Sequence, residues 1–265
     1  MNDKKEFFVP YIKGSLGKRT RKNTRLFVVI LILIVLCGAL VFGFSQNKFK
    51  NSTFELTSET TISGIYNENP YPMLRVKLSA NEYKNILLIG FGKSDASPFL
   101  EKLMAEHSHL IGKEISISGN LIYYNGKTLL QITNEDNIVL IDKKIRELPA
   151  PESIGMHMLT GEIVDPKCYF GVMKPGKGKI HKSCAILCIS GGIPPVFVSS
   201  NEDATVKYFL VTDINRNAIQ EDVLEHIGEP IEVAGEVEKF GDWYILKIDP
   251  TSIKNLGRDS TIYSP

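Results

Sequence analysis

The chain has 265 residues, 23% of them charged and 43% hydrophobic, a composition that excludes both a disordered chain and a protein with many membrane spans. The formal net charge of +1 combines two unlike parts, because residues 1–25 hold eight basic and two acidic residues and all later residues together carry a net charge of −5. A mildly acidic body argues against nucleic acid as its main partner, since phosphate binding requires clustered positive charge.

The first predicted element is a membrane-spanning helix over residues 26–44. These nineteen residues carry no charge, and at ~1.5 Å per residue they span roughly 28 Å, about the thickness of the bilayer hydrocarbon core. A cleaved signal peptide is the alternative, but its basic region would be unusually long and no A-x-A cleavage site follows. Because the basic segment 1–25 precedes the helix, the positive-inside rule predicts a cytoplasmic amino terminus and an exported, periplasmic segment 45–265.

The remainder of the chain predicts a mainly β structure. Short runs of alternating or β-branched residues predict strands in the first half, and they lie at 61–65, 73–78, 86–89, 114–118, 129–132 and 138–141. Only two stretches of this part of the chain, residues 98–110 and 217–227, predict helices, and a glycine follows the end of each. Strands therefore dominate, with one helix in each half.

The two halves resemble each other. Residues 109–119 match residues 225–235 at an offset of 116. The repeated order of three strands, a helix and two strands is that of an OB-type barrel. We therefore predict two tandem OB-like five-stranded barrels, and one larger β-sandwich is the alternative. The predicted boundaries are 45–148 for the first barrel, 149–157 for a proline-containing linker, 158–258 for the second barrel and 259–265 for a tail.

An insertion in the second half carries the distinctive chemistry. It falls within residues 165–195 and has the spacing C-x12-H-x2-C-x3-C, formed by Cys168, His181, Cys184 and Cys188. A short helix over 180–190 would place the histidine and the last two cysteines on one face. The four side chains then predict a tetrahedral site for Zn²⁺ or Cu⁺, with the thioether of Met173 as an additional soft ligand.

Other chemistries remain open for these cysteines. Exported cysteines commonly oxidise, so a disulfide from Cys168 to Cys184 or Cys188 would staple the inserted loop. A redox-active pair is the third possibility, although C-x3-C is not the thioredoxin spacing. The G-x4-G-K match at 171–177 lacks the Ser or Thr that magnesium requires, which argues against nucleotide binding. No arrangement of residues indicates a catalytic site.

The second half also resembles a family of exported bacterial proteins with an OB-like domain. The resemblance covers about residues 158–256 and depends on the pattern G-x-V-V-D-x-x-C-Y, then H-x-x-C-A-x-x-C, then G-x-P. In this chain these motifs are formed by Gly161 to Tyr169, by His181 to Cys188 and by Gly192 to Pro194. The resemblance implies a bacterial origin and an exported location, and it implies no particular activity.

Together these patterns predict a single-pass protein of the bacterial inner membrane. We expect a non-enzymatic module that binds a metal ion or a partner protein of an envelope complex, with the Cys/His loop as a structural or metal site. The alternative is an accessory thiol-redox factor or copper metallochaperone. Neither nucleic acid nor nucleotide is expected as a partner.

Overall fold

The structure is a computed structural model that describes residues 18–45, 52–107, 109–171, 173–200 and 208–257. The chain separates into two compact units, Met1–Lys50 and Asn51–Pro265. Most of the predicted basic segment 1–25, the start of the first predicted domain and the predicted tail 259–265 lie outside the described residues.

The first unit contains helix α1, Lys18–Ser45. The most apolar window of 18 residues within Arg21–Phe44 has a mean hydropathy of 3.2, and none of that window is buried. Among the described residues this is the one helix that is long and apolar enough to cross a membrane. The helix begins earlier than the predicted 26, because its first turns also include basic residues that favour helix and need no apolar surroundings.

The first half of the second unit forms a closed five-stranded barrel. The ring runs β5-β2-β3-β4-β6 and closes by pairing β6 with β5, while β1 and β7 add to β5. All ring pairs are antiparallel except β4 with β6. The elements are β1 Ser52–Phe54, β2 Thr60–Asn67, β3 Met73–Lys77, β4 Tyr83–Gly90, α2 Ser97–Glu106, β5 Glu114–Tyr124, β6 Lys127–Ile132 and β7 Ile138–Asp142, with a 3-10 helix at Glu135–Asn137.

The second half repeats this topology. Its ring runs β11-β8-β9-β10-β12 and closes by pairing β12 with β11, and β10 with β12 is again the parallel pair. The elements are β8 Glu152–Val164, α3 Pro166–Phe170, α4 Lys182–Ser190, β9 Val196–Ser199, β10 Tyr208–Thr212, β11 Ile231–Phe240, β12 Trp243–Ile248 and β13 Lys254–Asn255, with 3-10 helices at Glu221–His226 and Pro250–Ser252. The predicted pair of five-stranded barrels is confirmed.

The sequence repeat marks the positions where each ring closes. Gly119 on β5 and Gly235 on β11 are equivalent residues of the repeat. A Cβ atom would come within 2.3 Å of the Gln131 carbonyl oxygen at the first and within 2.5 Å of the Lys247 carbonyl oxygen at the second. Only glycine allows the closing strand to approach so closely, which explains why the two halves share this residue.

The predicted helices needed adjustment. The helix expected at 98–110 ends at Glu106, because His107 has an extended backbone. The prediction of a helix at 217–227 was wrong for its first residues. Asn217 is hydrogen-bonded to Asp213 in a turn, and Ala218 pairs with Thr212. What remains is the 3-10 helix Glu221–His226.

The linker between the barrels is shorter than expected. Residues 152–157 of the predicted linker 149–157 belong to β8 and pair with β11. The inserted segment lies between β8 and β9, where the first barrel has only the short connection 68–72 between β2 and β3. It contributes α3 and α4, of which α3 was not predicted.

The two barrels share a hydrophobic core at their interface. Each barrel also has its own buried cluster, but a third cluster draws on both and includes Leu87 and Ile89 of the first barrel and Phe170, Cys188 and Trp243 of the second. Polar contacts cross the same interface, since Nε1 of Trp243 donates to the Asn85 carbonyl oxygen at 3.0 Å. The inserted segment is thus partly enclosed between the barrels.

Candidate metal centre

Helix α3 starts immediately after β8 and presents the first cysteine. Oδ1 of Asp165 accepts a hydrogen bond from the Lys167 backbone N–H at 2.9 Å, which caps the helix, and Pro166 occupies its first position. Cys168 therefore lies one turn from the cap and close to the Asp165 carboxylate. The sequence Asp-Pro-x-Cys fixes this proximity through local geometry alone.

A glycine-containing loop returns the chain from α3 to α4. Gly176 and Gly178 have φ of +64° and +73°, a backbone conformation that favours glycine. The backbone N–H of Gly178 donates to the buried Glu162 carboxylate of β8. The His181 backbone N–H then donates to the Gly178 carbonyl oxygen at 3.0 Å, and α4 begins at the next residue. The loop thereby places His181 at the start of α4, beside α3.

Three thiols meet where α3 and α4 approach each other. The Sγ atoms of Cys168, Cys184 and Cys188 all lie within 4.8 Å of one another. Cys184 and Cys188 are one helical turn apart, so both point towards α3. Cys188 is only 2% exposed and belongs to the core shared by the barrels. We refer to Cys168, Cys184 and Cys188 as the thiol triad.

A second group of donors overlaps the first. A carboxylate oxygen of Asp165, Sγ of Cys168 and a ring nitrogen of His181 also lie within 4.8 Å of one another. Asp165 is fully buried and His181 is 7% exposed. Oδ2 of Asp165 and Nε2 of His181 are buried and have no hydrogen-bond partner. We refer to Asp165, Cys168 and His181 as the mixed triad; both triads contain Cys168.

The charges around Cys168 oppose its ionisation. A hydrogen bond with Cys188, burial, and the charge of Asp165 together with a hydrogen bond to its carboxylate hold the pKa of Cys168 well above its ordinary value. Nζ of Lys93 is 4.0 Å from Sγ of Cys184. Lys167 interacts electrostatically with Asp165 and, more weakly, with Cys188 and Cys168. Burial lowers the pKa of the Lys167 ammonium.

The first barrel contributes the loop that covers this site. Nζ of Lys167 donates to the carbonyl oxygens of Gly90 and Gly92 at 2.9 and 2.7 Å. The backbone N–H of Asp95 donates to the Gly191 carbonyl oxygen at the end of α4, at 3.1 Å. The loop between β4 and α2 is thus attached to both inserted helices.

The structure brings the predicted ligands together in two groups instead of one. Cys168, Cys184 and Cys188 form the thiol triad, whereas His181 joins Cys168 together with Asp165. Met173 lies in the loop after α3 and is 51% exposed, so its role as a ligand stays a prediction. All four cysteines are free thiols. Sequence reasoning missed Asp165, although its position three residues before Cys168 and before a proline is a helix-cap signal.

Comparison with protein-family models, with curated proteins and with solved structures finds no significant match. The resemblance of residues 158–256 to a family of exported bacterial proteins therefore stays a prediction.

Proposed function

We propose that the chain is a membrane-anchored, non-enzymatic module whose second barrel binds one metal ion, Zn²⁺ or Cu⁺, between α3 and α4. Residues 45–265 would be held outside the cytoplasm by α1. One observation carries the proposal: Nε2 of His181 and Oδ2 of Asp165 are buried without hydrogen-bond partners beside three clustered thiols. Buried polar atoms are nearly always partnered, and a bound cation would supply the missing partner.

A disulfide explains these atoms less well. It would join two of the three sulfurs at about 2.05 Å and would leave Oδ2 of Asp165 and Nε2 of His181 as they are. A cation would instead satisfy both atoms. It would also reverse the repulsion between the Asp165 carboxylate and a Cys168 thiolate, which now raises the pKa of that thiol.

The same pKa shift argues against Cys168 as a redox-active nucleophile. Redox-active cysteines have a lowered pKa, because the thiolate is the nucleophile. In this site the pKa of Cys168 is raised, so the protein without metal holds a neutral thiol at that position. A metal ion that binds at Cys168 must displace this proton, so metal binding should release it to the solvent.

Metal content and thiol content together test the proposal. The full-length chain carrying Cys37→Ser is purified in detergent, so that only the three loop thiols remain. We expect about one Zn²⁺ or Cu⁺ per chain by elemental analysis and three thiols by titration in denaturant with a chelator. One thiol and no metal would establish the disulfide staple, and three thiols and no metal would leave the loop as packing alone.

A histidine pair provides the matched variants. His181→Ala removes the buried imidazole of the mixed triad, whereas His157→Ala removes an exposed imidazole on β8. We expect Zn²⁺ affinity to fall by at least about tenfold in the first variant and to stay unchanged in the second, because loss even of an outer partner commonly costs 10–100-fold. Equal Zn²⁺ affinities in both variants would show that His181 is not a ligand.

A further inference from the structure

The two triads share one sulfur but differ in every other donor. The thiol triad offers three sulfurs, and the mixed triad offers one sulfur, one nitrogen and one oxygen. Resting on the proposed metal-binding function, we infer that the two triads select different metal ions. Cu⁺ occupies the thiol triad, Zn²⁺ occupies the mixed triad, and Cys168 makes the two occupancies mutually exclusive.

The donor chemistry assigns the ions. Soft thiolate ligands select Cu⁺, and the thiol triad contains nothing else. Zn²⁺ is of intermediate softness and accepts cysteine, histidine and aspartate together. The mixed triad supplies one of each. It leaves the fourth position of tetrahedral zinc to a further ligand, as in sites with three protein ligands.

The charges of the two complexes agree with this assignment. Zn²⁺ bound to a thiolate, a carboxylate and a neutral imidazole gives a complex with no net charge. The mixed triad can bury such a complex, since Asp165 and His181 are both buried and a neutral complex carries the smallest desolvation cost. The unpartnered atoms of these two residues are the ones that Zn²⁺ would bind.

Cu⁺ bound to three thiolates instead carries a net charge of −2. Such a complex needs positive charge nearby, and Lys93 lies beside the thiol triad. Nζ of Lys93 lies 4.0 Å from Sγ of Cys184. Lys167 interacts with Asp165 as well as with Cys168 and Cys188, so its charge serves both triads. Lys93 comes from the first barrel, so the covering loop takes part in the choice of ion.

The shared sulfur makes the ions compete. A Cys168 thiolate that is a terminal ligand of one ion is not available to the other ion. The full-length Cys37→Ser chain should therefore bind one equivalent of Zn²⁺ or one of Cu⁺. Cu⁺ added to the zinc-loaded chain should release about one Zn²⁺ per chain. Simultaneous binding of both ions would overturn the inference.

Ligand counts in the unaltered site provide the direct test. Zinc–sulfur bonds are about 2.3 Å long and zinc–nitrogen or –oxygen bonds about 2.0–2.2 Å, so X-ray absorption distinguishes them. We expect one sulfur around Zn²⁺ and three around Cu⁺. Three sulfurs around Zn²⁺ would show that both ions use the thiol triad and would overturn the inference.

Variants of each triad supply a second test, which separates this inference from the proposed function. Asp165→Asn keeps the helix cap at Oδ1 but removes the charge at Oδ2, and His181→Gln removes the imidazole. Each of these single variants should lower Zn²⁺ affinity by at least about tenfold, while Cu⁺ affinity changes less than about threefold. Cys184→Ser should lower Cu⁺ affinity and leave Zn²⁺ affinity nearly unchanged, and His157→Gln should change neither affinity.

If every variant of the two triads lost affinity for Zn²⁺ and Cu⁺ equally, the two triads would be one combined site and the assignment would be overturned. The proposed function would survive that result. Failure of the parent chain to bind either Zn²⁺ or Cu⁺ would instead refute the proposed function itself.

Discussion

At the scale of single residues, Asp165 shows how one side chain serves both the fold and the site. Its Oδ1 atom caps α3, and its Oδ2 atom remains buried without a partner. The carboxylate also raises the pKa of Cys168. A buried carboxylate oxygen without a partner costs free energy in the metal-free chain, and a cation bound beside it would remove that cost.

The raised pKa predicts a slow reaction of Cys168 with alkylating reagents. A pKa above the ordinary value means that the neutral thiol persists at pH 8, and each unit of increase lowers the thiolate fraction about tenfold. In the full-length chain treated with chelator, iodoacetamide should modify Cys168 at least about tenfold more slowly than in denaturant. The rate should keep rising above pH 9.

Mass spectrometry of the labelled peptide gives this rate. Asp165→Asn should accelerate the modification in the folded chain, because it removes a negative charge that raises the pKa. Equal rates for Cys168 in folded and denatured chains at pH 8 would contradict the electrostatic description of the site.

At the scale of elements, the contact between α4 and the first barrel depends on a glycine. A Cβ atom at Gly191 would come within 1.9 Å of the Lys93 carbonyl oxygen, which is too close for any side chain. The Asp95 N–H bonds the Gly191 carbonyl oxygen in the same place. The loop between β4 and α2 and the end of α4 must therefore meet backbone to backbone.

Gly191→Ala should separate these two elements. We expect a loss of about 1–3 kcal/mol in the free energy of unfolding, as for other overpacked contacts, and faster exchange of the Asp95 amide proton. Ser190→Ala is the control, because Ser190 is exposed beside the same contact and ordinary surface changes stay within about 0.5 kcal/mol. Urea titration compares them, and equal stabilities would contradict the close approach.

The sequence was sufficient for the barrels but only partly for the site. Alternating strands and the repeated element order predict the two barrels, because strand alternation is a local property of the sequence. The spacing C-x12-H-x2-C-x3-C identifies four side chains that lie close together in the structure but not their division into two triads. That division depends on how α3 packs against α4 and on the covering loop with Lys93, which comes from more than 70 residues away in sequence.

The turn at Asp213–Asn217 illustrates the same limit at a second place. Its residues predict a helix start by composition, yet Asp213 binds Asn217 and closes a tight turn after β10. Local side-chain bonds of this kind compete with helix formation, and only the position of β10 decides between them.

At the scale of the whole molecule, the two barrels have separate cores and a common one. The second barrel has its own buried cluster, which includes Phe197, Val233 and Leu246. The interface adds Phe170, Tyr208 and Trp243, which the first barrel covers. The separate core predicts that the second barrel folds alone, and the interface predicts that it does so with less stability than in the full chain.

Residues 152–260 expressed alone should therefore give the circular dichroism of a β protein and a cooperative thermal transition at a lower temperature than the full chain. Trp243, the only tryptophan, is fully buried in the intact protein and donates to Asn85 of the first barrel. Its fluorescence should shift to longer wavelength in the fragment, where that cover is missing. A disordered fragment would indicate one fused core.

The uneven charge of the chain predicts its orientation in the membrane. Residues 1–25 carry a net charge of +6, and only Lys48 and Lys50 follow closely after the apolar segment. Positively charged segments remain in the cytoplasm during insertion. Both barrels and the Cys/His loop would then face the extracytoplasmic side, where Cys168, Cys184 and Cys188 meet oxidising conditions unless a metal ion protects them.

Reporter fusions after Pro265 test this orientation. Alkaline phosphatase, which requires export, should be active there, and a reporter that works only in the cytoplasm should be inactive at the same site. Replacing Arg19, Arg21, Lys22 and Arg25 with glutamine lowers the net charge of residues 1–25 from +6 to +2, and it should reduce the phosphatase activity because the charge difference across the helix sets its direction. The opposite reporter pattern in the unaltered chain would place the barrels in the cytoplasm and would remove the oxidising environment from the description of the loop.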